Sequence, residues 1–177
     1  MIENHLKYYA RQDMVKGATL RLANVYGPGP ASNSADRGVL NLMIHRALQG
    51  EILTIFGQGN YLRDYIFVDD VVLAFLEAAA NIEAITGKSF IIGSGEGHTI
   101  AEAFQLVKER VELITCKSVS LINVAPPLNL AQIETRNFVA NSLLFKGLTG
   151  WHPQYSLIEG IDRTIRSYIQ NQNESVK

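Results

Sequence analysis

A chain of 177 residues, 47% of them hydrophobic, can bury one substantial core, which fits a single domain of the common size of roughly 100–150 residues. Its 16 basic and 17 acidic residues give a formal charge of −1 and are scattered, so no clustered Lys/Arg surface marks a partner such as nucleic acid or an anionic membrane. The polar opening from Met1 to Tyr9 is not a signal peptide, and no apolar run approaches the ~20 residues of a membrane span.

One cysteine, Cys116, excludes an internal disulfide framework and fits a reducing compartment. A cytoplasmic protein is therefore expected. With no His beside it, Cys116 is expected to be a buried, inert thiol.

In chain order, Ile2, Leu6, Tyr9 and Ala10 recur at helical spacing, and Gly17 ends that helix. Its apolar face needs a partner. Ala18 to Ala23 (ATLRLA) reads as a short, mostly buried strand, and Asn24 to Pro30 (NVYGPGP) as the loop after it. A helix is expected from Gly38 to Gln49, closed by Gly50. Leu53 to Phe56 and Asp64 to Val68 read as strands, and Asp69 as the N-cap of an apolar helix, Val71 to Ala80. Ser89 to Ile92 is a further strand. Thr99 with Glu102 forms a capping box that opens the next helix. Val119 to Val124 is a strand ending at Pro126-Pro127, and a second capping box, Ser156 with Glu159, opens a last helix toward Ile169. The polar tail from Asn171 is expected to fray. Strands alternating with helices predict an α/β protein with at least partly parallel pairing.

Ile92 to Gly97 (IGSGEG) follows a strand and precedes a helix, as a dinucleotide-binding turn does. Its spacing is G-x-G-x-G, and no acidic residue closes a second strand about twenty residues on. A plain strand-to-helix turn is the expected reading.

Three stretches carry more information: Leu20 to Pro28 (LRLANVYGP), Leu53 to Val71 (LTIFGQGNYLRDYIFVDDV) and Leu148 to Gly160 (LTGWHPQYSLIEG). In this order and separation they resemble the extended short-chain dehydrogenase/reductase (SDR) family, in particular its NAD-dependent nucleotide-sugar epimerases and dehydratases. The resemblance runs over nearly the whole chain. It implies an α/β fold: the C-terminal part of an NAD(P)-binding Rossmann-like extended SDR unit. Residues 1–177 would then combine a remnant of the Rossmann domain with the C-terminal substrate-binding domain, without the N-terminal NAD-binding half.

The resemblance also implies site residues. Asn24 matches the asparagine at the sugar diphosphate, where an amide donates to phosphate and accepts from hydroxyl; the alternative is an Asn that satisfies loop backbone. Arg63 matches the arginine that grips the diphosphate, for which a planar fork of donors is suited; the alternative is an ion pair with Asp64 or Asp69. Phe56 matches the aromatic lying against the base, or is a core residue. Leu40 matches a position whose backbone meets the base. Leu22 and Val25 match positions near the nicotinamide of the cofactor, NAD, and are equally compatible with a core. Glu134, in Leu130 to Arg136 (LAQIETR), stands for the acid at a ribose hydroxyl, while Leu130 and Ala131 lack the positive charge relatives often carry there. Arg136 is the alternative cation. Asn141 stands where relatives often have Asp before a short helix.

Catalysis in this family rests on a Tyr-x-x-x-Lys pair. Met1-Ile2-Glu3 fits the helix positions just after that lysine, so the chain is expected to begin beyond the pair. Neither Tyr8 nor Tyr9 is followed by a lysine at the right place. No residue is assigned to catalysis or to a metal. The chain is expected to be the nucleotide-sugar-binding portion of a homodimeric epimerase/dehydratase and to be inactive alone. The alternative is a non-catalytic truncated binding or assembly module.

Overall fold

A computed structural model describes residues 2–29, 38–127 and 135–174. The elements are α1 (Ile2–Arg11), β1 (Thr19–Leu22), β2 (Asn24–Tyr26), α2 (Val39–Leu48), β3 (Leu53–Phe56), β4 (Leu62–Arg63), β5 (Tyr65–Phe67), α3 (Val68–Ala80), α4 (Ile82–Ile85), β6 (Ser89–Ile92), β7 (His98–Thr99), α5 (Ile100–Thr115), β8 (Leu121–Val124), α6 (Leu143–Thr149) and α7 (Leu157–Glu174). Three strand pairs are parallel among the described residues: β1 with β6, β2 with β5 and β3 with β8. The two-residue β4 and β7 pair antiparallel. The fold is α/β with mainly parallel pairing, as the alternation of patterns predicts.

The chain changes partner abruptly at Ala23. Ala23 N donates to Ile92 O at 2.8 Å, still following β6, and Asn24 N donates to Asp64 O at 3.1 Å, joining β5. The expected loop from Asn24 therefore opens as a strand. Three residues are too few to show a period, and the pairing with β5 overrides the local turn signal of Gly27 and Pro28.

Two clusters of apolar side chains form the core. One lies among α2, β3, α5 and α7 and includes Tyr26 and Phe67. On α7, Leu157, Ile161 and Ile165 recur at four-residue spacing and are all buried. Each such side chain contributes roughly 1.5–3 kcal/mol by leaving water. The second cluster lies around β6, α3 and α6, where Phe90, Phe145 and Trp151 meet edge to face at 5.2 and 5.6 Å. Trp151 Nε1 donates to Asp70 O at 3.0 Å. The buried Asp70 carboxylate accepts from Gln154 N at 2.8 Å and Tyr155 N at 3.3 Å, which fastens the entry of α7 to α3. Burial raises the pKa of Asp70, and the two backbone N–H groups oppose that rise.

Both expected capping boxes are present. Thr99 Oγ1 accepts from Glu102 N at 3.1 Å while Glu102 Oε2 accepts from Thr99 N at 2.8 Å. Ser156 Oγ accepts from Glu159 N at 3.3 Å while Glu159 Oε2 accepts from Ser156 N at 2.9 Å. Asn141 Oδ1 accepts from Leu143 N at 3.1 Å at the start of α6.

Three local expectations are corrected. Asp69 is not an N-cap: α3 starts at Val68, three residues before the expected Val71, with Phe67 in the cap position, and Asp69 sits in the first turn, where a carboxylate complements the helix dipole. Cys116 is exposed rather than buried, because it is the left-handed C-cap of α5 at φ 56°. In β1 only Thr19 and Leu20 are half-buried, while Arg21 and Leu22 are exposed. Among the described residues β1 has a strand on one edge only, β6. Likewise α1 buries only Ala10 and leaves Ile2 at 87% exposure.

Candidate functional site

A cavity of about 740 Å³ opens where β2, α2, β3, β4 and α5 converge. Its walls follow from the periodicities of the elements. In β3, Leu53 and Ile55 are buried, so Thr54 and Phe56 face outward and line the cavity, with Phe56 54% exposed. The core alternative for Phe56 is thereby corrected: its ring is on the cavity wall. In α2, Val39, Leu42, Met43 and Arg46 lie on one helix face and line the opposite side. Leu40 also lines the cavity, although it is 2% exposed and packs in the core. Ile100 and Phe104 of α5 complete the apolar wall.

Polar groups gather at the β2–β5 end. Asn24 Nδ2 donates to Asp64 O at 2.9 Å, so one donor of its amide serves the main chain. Arg63 Nη1 donates to Leu62 O at 3.0 Å and to Arg136 O. The Asp64 carboxylate is not spent on its neighbour. Its Oδ1 accepts from Ser94 N and Ser94 Oγ, both at 2.8 Å, and its Oδ2 from Gly95 N at 2.9 Å and Ala140 N at 3.0 Å. Asp64 is fully buried. It anchors the strand segment that carries Arg63 and the carbonyl that holds Asn24. Tyr65, also on the cavity wall, has its phenol pushed up to about 12 by burial, with the positive charge of Arg63 opposing.

The same contacts identify the Gly-rich turn. The N–H groups of Ser94 and Gly95 hold Asp64, and Gly93 N donates to Ser142 Oγ at 3.2 Å. A Cβ at Gly93 would lie 2.4 Å from Ala140 Cβ and 2.7 Å from Asp64 Oδ2. An internal carboxylate fills the space a phosphate would need, and the plain structural turn is what the chain forms.

The structure therefore brings Asn24, Val25, Leu40, Phe56 and Arg63 around one cavity. Leu22 stands apart from the lining, 41% exposed at the carboxyl end of β1. Glu134 lies outside the described residues. Arg136 does line the cavity, with its guanidinium carbon 5.6 Å from the centre of the Phe138 ring. Sequence reasoning missed Arg46 and Tyr65. The signal for Arg46 was its place at the end of the 39/42/43 stripe; Tyr65, in an apolar strand, gave none.

As a fit for a dinucleotide, the described residues offer Leu22 at the carboxyl end of β1, where such ligands lie in open α/β sheets, and Val25 in the middle of β2, both as apolar contacts. The Gly-rich turn offers no pyrophosphate site, being occupied by Asp64. Among the described residues no helix is long and apolar enough to cross a membrane.

Residues 1–93 match the model of the NAD dependent epimerase/dehydratase family. A UDP-glucose 4-epimerase of Mycolicibacterium smegmatis is 32% identical over 154 residues, 86% of this chain and 45% of the relative. The crystal structure of a Thermotoga maritima UDP-glucose 4-epimerase with UDP-glucose superposes with TM-score 0.77 at 34% identity, over 96% of this chain and 51% of that one. A Thermus thermophilus UDP-glucose 4-epimerase in complex with NAD gives TM-score 0.75 at 27% identity, over 94% and 51%. The chain spans about half the length of the relatives it matches.

Proposed function

Because this chain belongs to the NAD-dependent epimerase/dehydratase family, we propose that it is the nucleotide-sugar-binding portion of an enzyme acting on UDP-, dTDP- or similar sugar nucleotides. The observation that carries the reading is the grouping of Asn24, Phe56 and Arg63 around one cavity of about 740 Å³. That volume suits a drug-sized ligand. Arg63 and Arg136, both lining the cavity, supply guanidinium donors for a diphosphate. Asn24 adds an amide that donates to phosphate or accepts from a sugar hydroxyl. The exposed ring of Phe56 covers one face of the base, and Leu40 holds the helix backbone against it. The 1–177 unit is then the end of a Rossmann-like domain joined to a substrate-binding domain. The setting this reading carries is a cytoplasmic homodimer.

NAD, when bound, supplies the hydride acceptor, and Leu22 and Val25 would lie at its nicotinamide. The described residues offer no proton-transfer pair. Tyr8 and Tyr9, 61% and 44% exposed, meet each other edge on along α1 and have no lysine at the family spacing. The 177-residue chain alone is accordingly inactive in a hydride-transfer assay with UDP- and dTDP-sugars.

Calorimetric titration with UDP and dTDP tests the site. Arg63→Ala weakens both by at least about tenfold, the typical loss for a hydrogen bond to a charged group. Equal affinity of mutant and wild type would assign Arg63 to a structural role, such as its bonds to the backbone carbonyls of Leu62 and Arg136.

A further inference from the structure

Three arginines, Arg46, Arg63 and Arg136, line the cavity among mostly apolar side chains. At one end Asn24, Arg63 and Arg136 meet, joined by the hydrogen bonds of Asn24 to Asp64 O and of Arg63 to Arg136 O. The N-terminus of α2 abuts this end: Gly27 N donates to Asn41 Oδ1 at 3.0 Å, and a Cβ at Gly38 would lie 3.3 Å from Val25 O. From there α2 presents Val39, Leu42, Met43 and Arg46 to the cavity. Arg46 lies seven residues beyond Val39, about 10 Å along the axis at 1.5 Å per residue. Leu42 and Met43, between Val39 and Arg46 on the same helix, line the cavity together with Phe56 and Phe104. Arg46 Nε meets Glu51 Oε2 at 3.5 Å, with the two side chains 39% and 52% exposed. A contact that long and that solvated contributes little, so the guanidinium reorients at small cost.

We propose that Arg46 reads the outer edge of the nucleotide base and selects bases presenting a carbonyl acceptor there, uracil or thymine, over cytosine. The inference rests on the nucleotide-sugar reading, with the diphosphate at Asn24 and Arg63 and the base against Phe56. It adds the residue that chooses among bases. A ligand whose diphosphate sits at Asn24 and Arg63 extends its base along Leu42 and Met43, and the edge farthest from the phosphate reaches Arg46. A guanidinium has five donors and no acceptor. Uracil and thymine carry an acceptor oxygen at the position where cytosine carries an amino donor. Uracil is therefore held, and cytosine sets donor against donor.

The experiment is calorimetric titration of the wild-type chain and of Arg46→Met with UDP and with CDP, with thermal unfolding of both proteins alongside. The wild type is expected to bind UDP at least about tenfold tighter than CDP, the discrimination of one hydrogen bond to a charged group. Arg46→Met, which keeps the apolar stem, is expected to lose that ratio by weakening UDP, with CDP and the melting temperature unchanged. Should the methionine variant fail to fold, Arg46→Ala gives the same comparison. Equal binding of UDP and CDP by the wild type, or an Arg46 variant that keeps the wild-type ratio, overturns the inference and leaves the nucleotide-sugar reading standing. Binding of neither nucleotide overturns both.

Discussion

Replacing Asp64 by asparagine keeps the shape of the side chain and removes half of its accepting capacity. Two donors from Ser94 reach Oδ1 at 2.8 Å, and Gly95 N and Ala140 N reach Oδ2 at 2.9 and 3.0 Å. An amide satisfies one of these pairs and turns its NH2 toward the other. The cheaper orientation puts Nδ2 at Ser94, whose hydroxyl can rotate to accept. Ser94 N–H is then left without an acceptor beside a residue that is fully buried. An unsatisfied buried donor costs about 1–3 kcal/mol, and bonds to a neutral acceptor are weaker than those to a charged one, so Asp64→Asn should cost about 2–5 kcal/mol in all. Against the 5–15 kcal/mol typical of a whole domain that is a large fraction. Urea unfolding followed by far-UV circular dichroism measures the loss. Because Asp64 O holds Asn24 and the next residue back is Arg63, UDP affinity should fall as well, measured where the variant is still folded. A change in unfolding free energy below about 1 kcal/mol would refute the account of Asp64 as the anchor of this end of the cavity.

Gly160→Ala would place a Cβ 2.1 Å from Tyr26 Oη and 2.9 Å from Phe67 Cδ2; overpacking of this kind costs about 1–3 kcal/mol or more, read as a lowered urea midpoint. Asp70 has a folded pKa raised above its ordinary value of 3.8, chiefly by burial. Its contribution is thus fully present below that value and lost as pH rises through the folded pKa; Asp70→Asn should flatten that fall in stability, and an unchanged slope between pH 4 and 7 counts against it. The exposed side chains of Ile2 and Tyr8 on α1 and of Val72, Phe75 and Leu76 on α3, together with the edge of β1, form sticky surface. Light scattering over a concentration series should show self-association, and a clean monomer of 19.6 kDa at high concentration would contradict it.

What the sequence made legible was local and repetitive. Thr99 with Glu102 and Ser156 with Glu159 announced their helices because a capping box lies within four residues and needs no distant partner. Ser89 to Ile92 and Leu53 to Phe56 announced themselves by β-branched and apolar content between glycines. Asn24 to Tyr26 did not, since its strand character comes from pairing with Tyr65 to Phe67, forty residues on. Asp64 and Asp70 look alike in sequence as acidic residues beside apolar runs. Their roles as buried acceptors for Gly95, Ala140, Gln154 and Tyr155 belong to chain crossings that no local pattern encodes. The site was legible only through family resemblance, which singled out Asn24, Phe56 and Arg63. Arg46 escaped because a charged residue on a helix face reads by default as solvated.

The hydrogen bond from Tyr26 Oη to Leu157 O joins residues 131 positions apart, and α7 packs there against β5 and α2. The two segments that this contact joins, β2 and the start of α7, are far apart in the sequence. Closing a loop of that length costs entropy before any contact rewards it, and such non-local closure slows folding. The pocket lining, which runs from Asn24 to Arg136, is non-local in the same way, so the pocket is assembled after local elements such as α5 have formed. A nucleotide added during refolding should leave the rate of the main phase unchanged and act only on the reverse step, lengthening the lifetime of the folded chain.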